Sequence, residues 1–421
     1  MRMENGLVRI GRLVSVDKDD CMVAAQFDDD GVEVIWPRSI GFAEAFERNR
    51  SPAAPDPVIF RDTNGYLTLR QGTTAGMSMS TVGASEQRIH YSIAIGAGAA
   101  AADYEFVNGM ASEVDGLAYW AKSSTVETRL NRNAAGNLER LELSATNRPD
   151  ITLGGSLDLR LQTSYSHLPT PKNGAYTIHD RLTVQTRSDV DAAWSEHAAQ
   201  HHMIQDLMCL VYGQPCAARL KRVMRADDQP YGTRDHRRWW ADVYQPTFGR
   251  TTGSLEPLDD RQRPLFFLDE TDPSKVDAWL KDFAAWSRPT WIAVTTLFQK
   301  NTSIESQLLQ VGVALEALGY AIWSETRSPK SRVPSYPQLL ELVTEAASVA
   351  GASLYGESRT AAQWRTAFNV AFKGTKHADN ALTPPREAAE RTSQGFLLIR
   401  CWLATKLGVQ GELLEQRLEE M

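Results

Sequence analysis

The chain has 421 residues, 42% of them hydrophobic and 23% charged, with a net charge of −7. That length calls for two or three domains with sizeable cores, so no metal or disulfide staple is needed to hold the fold. The acidic balance excludes a surface that coats nucleic acid by bulk electrostatics, while leaving room for a small basic site within an acidic body. The four cysteines, Cys21, Cys209, Cys216 and Cys401, are scattered, with no C-x-x-C pair and no zinc spacing, and read as reduced core thiols. Met1 to Gly6 carries no apolar signal region. No segment approaches the roughly 20 apolar residues of a membrane span. A cytoplasmic location, no membrane contact and no metal or other cofactor are expected.

Taken in chain order, the first half reads as β. Leu7 to Val16, Asp20 to Phe27 and Val32 to Trp36 alternate apolar and polar residues between Asp/Gly breaks. Val58 to Arg61, Tyr66 to Leu69, Arg88 to Ile95, Val126 to Leu130, Leu138 to Leu143, Leu157 to Leu161 and Tyr176 to Thr186 do the same. Many short strands separated by Gly, Asn, Asp and Pro predict a sandwich or an irregular barrel over residues 1–187. From Asp189 to Val211 the apolar period becomes helical, and Gly213 supplies a stop. Strands near Ala217 to Met224 and Trp239 to Tyr244 complete a mixed connecting region over 188–270.

Residues 271–421 read as helical. Asp272-Pro273 opens one helix, and a second is expected after Pro289. Thr302-x-x-Glu305 has the pattern of a capping box before Ile304, Leu308, Val311, Leu315, Leu318 and Ile322, the strongest helical period in the chain. Helices over Pro334 to Val349, Ser358 to Lys376 and Pro385 to Leu407 follow, giving an antiparallel bundle. The predicted fold class is therefore a multidomain α+β protein with a β-rich N-terminal part, a mixed middle and a C-terminal all-α bundle.

The residues with chemical promise sit near the end of that bundle. Trp364, Phe368 and Phe372 recur every fourth position, and Arg365, Asn369, Lys373 and His377 follow one residue later. On a helix this places a polar and basic stripe beside an apolar one, with Lys376 and His377 at its end. Gly374 is a candidate helix stop that would put Lys376 and His377 on a turn. A capping histidine near a helix C-terminus is the competing explanation for His377, and a solvated basic turn for Lys373 and Lys376. Elsewhere, His197 and His201 stand four apart on a predicted helix without the glutamate of H-E-x-x-H, and a surface or interface role is expected for them. Arg234 to Trp240 mixes cations with aromatics, which reads chiefly as a loop entering a strand and secondarily as a nucleic-acid contact. Gly72-x-x-x-Gly76 and Gly96-x-Gly98 lack the context of a phosphate loop.

Ser306 to Leu318, Phe372 to Asp379 and Gln205 to Pro215 resemble segments of the ApeA-like anti-phage proteins, and the helical part resembles a HEPN domain. That resemblance implies a β-rich sensor, a homodimer formed through the helical bundle, and metal-independent cleavage of RNA, either tRNA or mRNA, triggered by a phage-derived signal. HEPN ribonucleases place an arginine before a histidine with four to six residues between them. Here those positions are Val370, Ala371 and Phe372, and the nearest cation is Lys373, which lacks the bidentate fork of arginine. By the resemblance, His377, Lys373 and Glu316 are the catalytic candidates, with Glu316 orienting His377 or pairing with Lys373. Arg365, Asn369 and Lys376 are the RNA-binding candidates. A histidine titrating near neutral pH can serve both the 2′-hydroxyl and the leaving oxygen, and a fixed cation can stabilise the phosphorane. The missing arginine supports an alternative, a non-catalytic binding protein that uses the bundle to dimerise.

Overall fold

A computed structural model describes residues 3–14, 22–39, 54–79, 84–96, 103–170, 175–228, 240–250, 263–326, 332–348, 352–355 and 360–420. They form two compact units. The first comprises residues 1–113, 185–201 and 218–254; the second comprises 114–184, 202–217 and 255–421.

The first unit is built on a closed barrel. β1 (Val8–Leu13), β2 (Met22–Phe27), β3 (Val32–Ser39), β4 (Val58–Asp62), β5 (Gly65–Met79) and β6 (Ala84–Ile95) pair antiparallel in the cycle β1-β2-β3-β6-β5-β4-β1. Closure leaves no free edge among these six, so the irregular barrel is the member of the expected pair that forms. The alternation read in the sequence is the alternation of burial: Leu13, Val23, Phe27, Val34, Phe60, Leu67, Leu69, Ile89 and Tyr91 fill the interior. One ion pair is buried with them. Arg9 donates from Nε and Nη2 to the two carboxylate oxygens of Asp62, each at 2.6 Å. Burial opposes ionisation of Asp62, but the Arg9 guanidinium and Asn64 outweigh it and hold the carboxyl below its usual range.

Beyond the barrel, the sheet of this unit continues from β6 to β14 (Ala241–Tyr244), β13 (Ala218–Met224), β7 (Phe106–Val114) and the later residues of β12 (Ala175–Ala193). β7 was not expected. Its residues are buried on both faces, so no alternation marks it. β5 and β12 run far past their predicted ends. Backbone pairing carries them through polar residues that a side-chain pattern does not flag. β12 also delays the following helix, α2 (Trp194–Tyr212), which starts five residues later than its apolar period suggested.

His197 and His201 are fully buried, which corrects the surface role expected for them. The His197 Nε2–H donates to the Val107 carbonyl at 3.1 Å. Its Nδ1 then accepts from Thr186 Oγ1 at 2.7 Å, Thr186 accepts from His201 Nε2 at 3.1 Å, and His201 Nδ1 accepts from Ser112 Oγ at 2.6 Å. One anchoring carbonyl thus fixes both tautomers, because a hydroxyl has one proton to give. Among the described residues no cluster of ligands suits a metal.

In the second unit, β10 (Ile151–Gly154) pairs with β11 (Leu159–Thr170), and β11 with the early residues of β12. β8 (Val126–Arg132) and β9 (Leu138–Ala145) form a separate hairpin, and α1 (Leu117–Trp120) is a single turn. The helices are α3 (Pro273–Lys281), α4 (Phe283–Phe298), α5 (Ile304–Thr326), α6 (Tyr336–Ala346), α7 (Ala352–Tyr355), α8 (Ala361–Lys376), α9 (Pro385–Lys406) and α10 (Gly411–Glu419). The heptad helix α5 is central, packing on α4, α6, α8 and α9. Asp272 caps α3 as expected, accepting from Ser274 N–H at 2.9 Å. Two details differ from expectation. α4 starts before Pro289 and continues through it, because Phe283, Trp286, Thr290, Ala293 and Val294 bury one face. That packing outweighs the roughly 3 kcal/mol cost of an internal proline. At the head of α5, Ser303 rather than Thr302 does the capping, accepting from Ser306 N–H at 3.3 Å.

The end of α2 is held by a buried arginine. Arg400 of α9, 6% exposed, donates from Nε to the Leu210 carbonyl at 2.7 Å and from Nη2 to the Val211 carbonyl at 2.9 Å. Gly213 follows at φ +71°, where a Cβ would also lie 2.7 Å from Arg400 Nη1. The predicted stop is therefore demanded by backbone conformation and by contact together.

The buried histidines give the first unit a pH signature. Burial lowers the His197 pKa, outweighing the carbonyl bond and nearby Glu196. The unfolded chain therefore binds the extra proton first. Its contribution to stability is complete above about pH 6.5 and declines as pH falls below that, by at most about 1.4 kcal/mol per pH unit. Thermal unfolding followed from pH 7 to pH 5 should show a falling midpoint in the wild type, and a flatter dependence in His197→Gln.

Candidate functional site

α8 carries the residues that the sequence marked, and its boundaries follow from capping at both ends. Thr360 accepts from Gln363 N–H at 3.3 Å, with Gln363 returning to the Thr360 backbone at 3.0 Å. The helix continues through Gly374, which is not its stop, and His377 is the C-cap residue, donating its N–H to Lys373 O at 2.9 Å. Gly374 instead permits close packing, since a Cβ there would lie 2.4 Å from the Ala381 carbonyl.

The aromatic stripe is buried as its period predicted. Trp364 and Phe368 pack ring against ring at 5.0 Å, and Trp364 Nε1 donates to Gln394 Oε1 at 2.9 Å. That same glutamine oxygen accepts from Nη1 of Arg391 at 2.7 Å, a fully buried arginine on α9 that the sequence reading did not single out. Glu387 and Glu390 within its own helix, 3.5 and 3.7 Å away, are the signal that would have marked it. Phe372 stacks on Tyr336 at 4.7 Å and lies directly over Gly312 of α5.

The polar stripe divides in two. Arg365 is half-buried and tied to α6: it donates to Thr344 Oγ1 and Glu341 Oε1, both at 2.9 Å. Asn369 is partly buried, and its Oδ1 accepts no hydrogen bond. Lys373, Lys376 and His377 are exposed. Lys376 Nζ lies 5.4 Å from the centre of the Phe372 ring. Among the described residues, none of these three forms an ion pair with a carboxylate. Glu316 is half-buried on α5 and is not joined to Lys373 or His377 by a hydrogen bond or ion pair. It faces Tyr336, whose hydroxyl is raised far above its ordinary pKa by burial first and by Glu316 second. It also lines a groove of about 820 Å³ with Arg288, Tyr320, Ser324 and Leu339. The five candidate residues of α8 do not line that groove.

One chain therefore brings together Lys373, Lys376 and His377, aligns Asn369 behind them, commits Arg365 elsewhere and leaves Glu316 in a neighbouring groove. This end can bind an anion by the charge of its lysines; the negative end of the helix favours those cations but itself opposes an anion. Arg234 to Trp239 lies outside the described residues.

The architecture defines a modular α+β protein, a closed antiparallel barrel with added strands and helices preceding a helical bundle. The chain belongs to the family of the ApeA N-terminal domain 1, whose pattern matches residues 27–280, more than half of its length. Membership points to a role in anti-phage defence. The match spans the barrel from the end of β2 through most of α3 and stops before α8. No curated protein and no solved structure matches the chain. Among the described residues no helix is long and apolar enough to cross a membrane.

The close approach under Phe372 is testable. A Cβ on Gly312 would lie 2.2 Å from Phe372 Cδ2, so Gly312→Ala should displace the last turn of α8. The expected cost is about 1–3 kcal/mol, read as a lower unfolding midpoint. The NMR resonance of the His377 ring should shift without any change at His197.

Proposed function

We propose that this protein is a cytoplasmic anti-phage effector of the abortive-infection kind. Its β-rich part senses a phage-derived trigger, and its C-terminal helices act as a HEPN-type, metal-independent endoribonuclease on tRNA or mRNA. The active form is a homodimer through the helical bundle. The observation that carries this reading is the exposed end of α8, where Lys373, Lys376 and His377 stand together without a carboxylate partner among the described residues. Such a cluster suits a ribose-phosphate: the ammonium groups hold the phosphate and take up the charge of the phosphorane, and the imidazole moves the proton. Neither step requires a bound metal. Asn369 extends the same face. Glu316, unconnected to His377 within one chain, contributes only across the dimer.

A second reading is a non-catalytic binding protein, and one observation favours it. Arg365 is engaged by Glu341 and Thr344, and no arginine occupies positions 370–372. The missing guanidinium removes the bidentate grip on phosphate that the HEPN pattern uses.

Purified protein incubated with tRNA and with mRNA in EDTA separates the two. The ribonuclease reading expects cleavage by the wild type, a loss of about a hundredfold or more in His377→Ala, and a smaller loss in Lys373→Ala. Equal behaviour of wild type and His377→Ala at every concentration sinks it. If both variants also keep full protection in a phage challenge, the binding reading stands.

A further inference from the structure

The β8–β9 hairpin of the second unit is two-faced, and both faces are open. Opposed residues share a face, so the register Val126↔Ala145, Thr128↔Leu143 and Leu130↔Leu141 makes one side apolar. Leu130, Leu141 and Leu143 are 54%, 53% and 53% exposed. The other face holds Glu127, Arg129, Arg140 and Glu142, with Arg140 and Glu142 paired at 2.6 Å. An isolated two-stranded ribbon is marginal in water, and among the described residues neither strand pairs with a third.

The two edges differ. Thr146 N–H donates to Thr125 O at 2.9 Å, so by alternation Val126 turns its backbone outward on β8, as do Leu141 and Leu143 on β9. On β8 the outward N–H of Val126 is already taken by Ser124 Oγ at 3.0 Å. Among the described residues β9 has no such stopper at Leu141 or Leu143. Its sequence is also its own complement when reversed about Leu141, since Arg140 then faces Glu142 and Glu142 faces Arg140. The same operation sets Leu141 against Leu141 and extends the row to Leu130-Leu141-Leu141-Leu130 across four strands.

We propose that β9 is a self-association edge: a second copy of this chain adds antiparallel to it about a twofold axis through Leu141. Charge complementarity selects this occupant. Each copy contributes one cation and one anion at matching positions, and the axis converts them into two interchain pairs. Main-chain hydrogen bonds supply the affinity and the Arg140–Glu142 exchange supplies the register. The contact lies outside the helical bundle and does not rest on the ribonuclease reading, because it is read by mass and cross-linking rather than by RNA cleavage.

The test uses the full chain in sedimentation equilibrium across the micromolar range, with circular dichroism to check folding. Wild type should associate through this edge, in addition to any dimer formed through the helical bundle. Arg140→Glu opposes two like-charge pairs and should weaken the dimer about tenfold or more, and combining it with Glu142→Arg should restore it. Leu141→Cys should form a disulfide-linked dimer under mild oxidation, because the axis brings the two positions within bridging distance, while wild type should not. Wild type that stays monomeric overturns the proposal. So does a dimer indifferent to Arg140→Glu, a double exchange that fails to restore association, or Leu141→Cys that does not cross-link.

Discussion

The second unit depends on one buried cation placed against a helix end. Arg400 lies in the interior of α9 and spends its guanidinium on the carbonyls of Leu210 and Val211. Burial, opposed only by nearby Cys401, lowers its pKa to about 10, still well above neutral, so the charge persists. An uncompensated guanidinium there would be costly, and the exposed C-terminal carbonyls of a buried helix would be equally so. Each settles the other. The arrangement explains why Gly213 follows the helix, and why the run Leu207 to Val211 can be buried without stranding its backbone. It also places α9, and so the helices packed with it, relative to the end of α2 within that unit.

From α9 the same logic passes to α8. Gln394 on α9 receives both Trp364 of α8 and the buried Arg391, so a hydrogen-bonded polar centre sits within the aromatic stripe. Further along, Gly312 lets Phe372 settle against α5, and Tyr336 covers the ring. Aromatic burial therefore determines which side of α8 faces water. The exposed lysines and His377 are what remains once the apolar stripe has been buried, which ties the cationic end to packing as closely as to chemistry. Arg365 shows the same competition resolved the other way. It stands on the polar stripe but close enough to α6 for Glu341 and Thr344 to bind it.

Much of this was legible beforehand, for identifiable reasons. Alternation marked β1, β2, β3 and β6 because a barrel has one wet face and one dry face. The heptad of α5 and the stripe of α8 were visible because each buries a single face. β7 was missed because it is dry on both sides. The later parts of β5 and β12 were missed because backbone pairing, not side-chain pattern, sustains them. His197 and His201 were misplaced because a four-residue spacing says nothing of whether the helix is covered. Arg391 and Arg400 escaped notice because a charged residue in a helix normally reads as solvated, and only their partners reveal the opposite.

By itself the sequence determined the order of parts, β-rich and then helical, and the identity of the basic residues at the end of α8. Both follow from local periodicity, which is set by the geometry of single strands and helices. The tertiary structure alone decided that the strands close into a barrel, that two histidines share one buried hydroxyl, that Arg365 is spoken for and that Glu316 stands apart from His377. Each of these depends on which distant groups meet, and pairing across tens or hundreds of residues leaves no periodic trace along the chain.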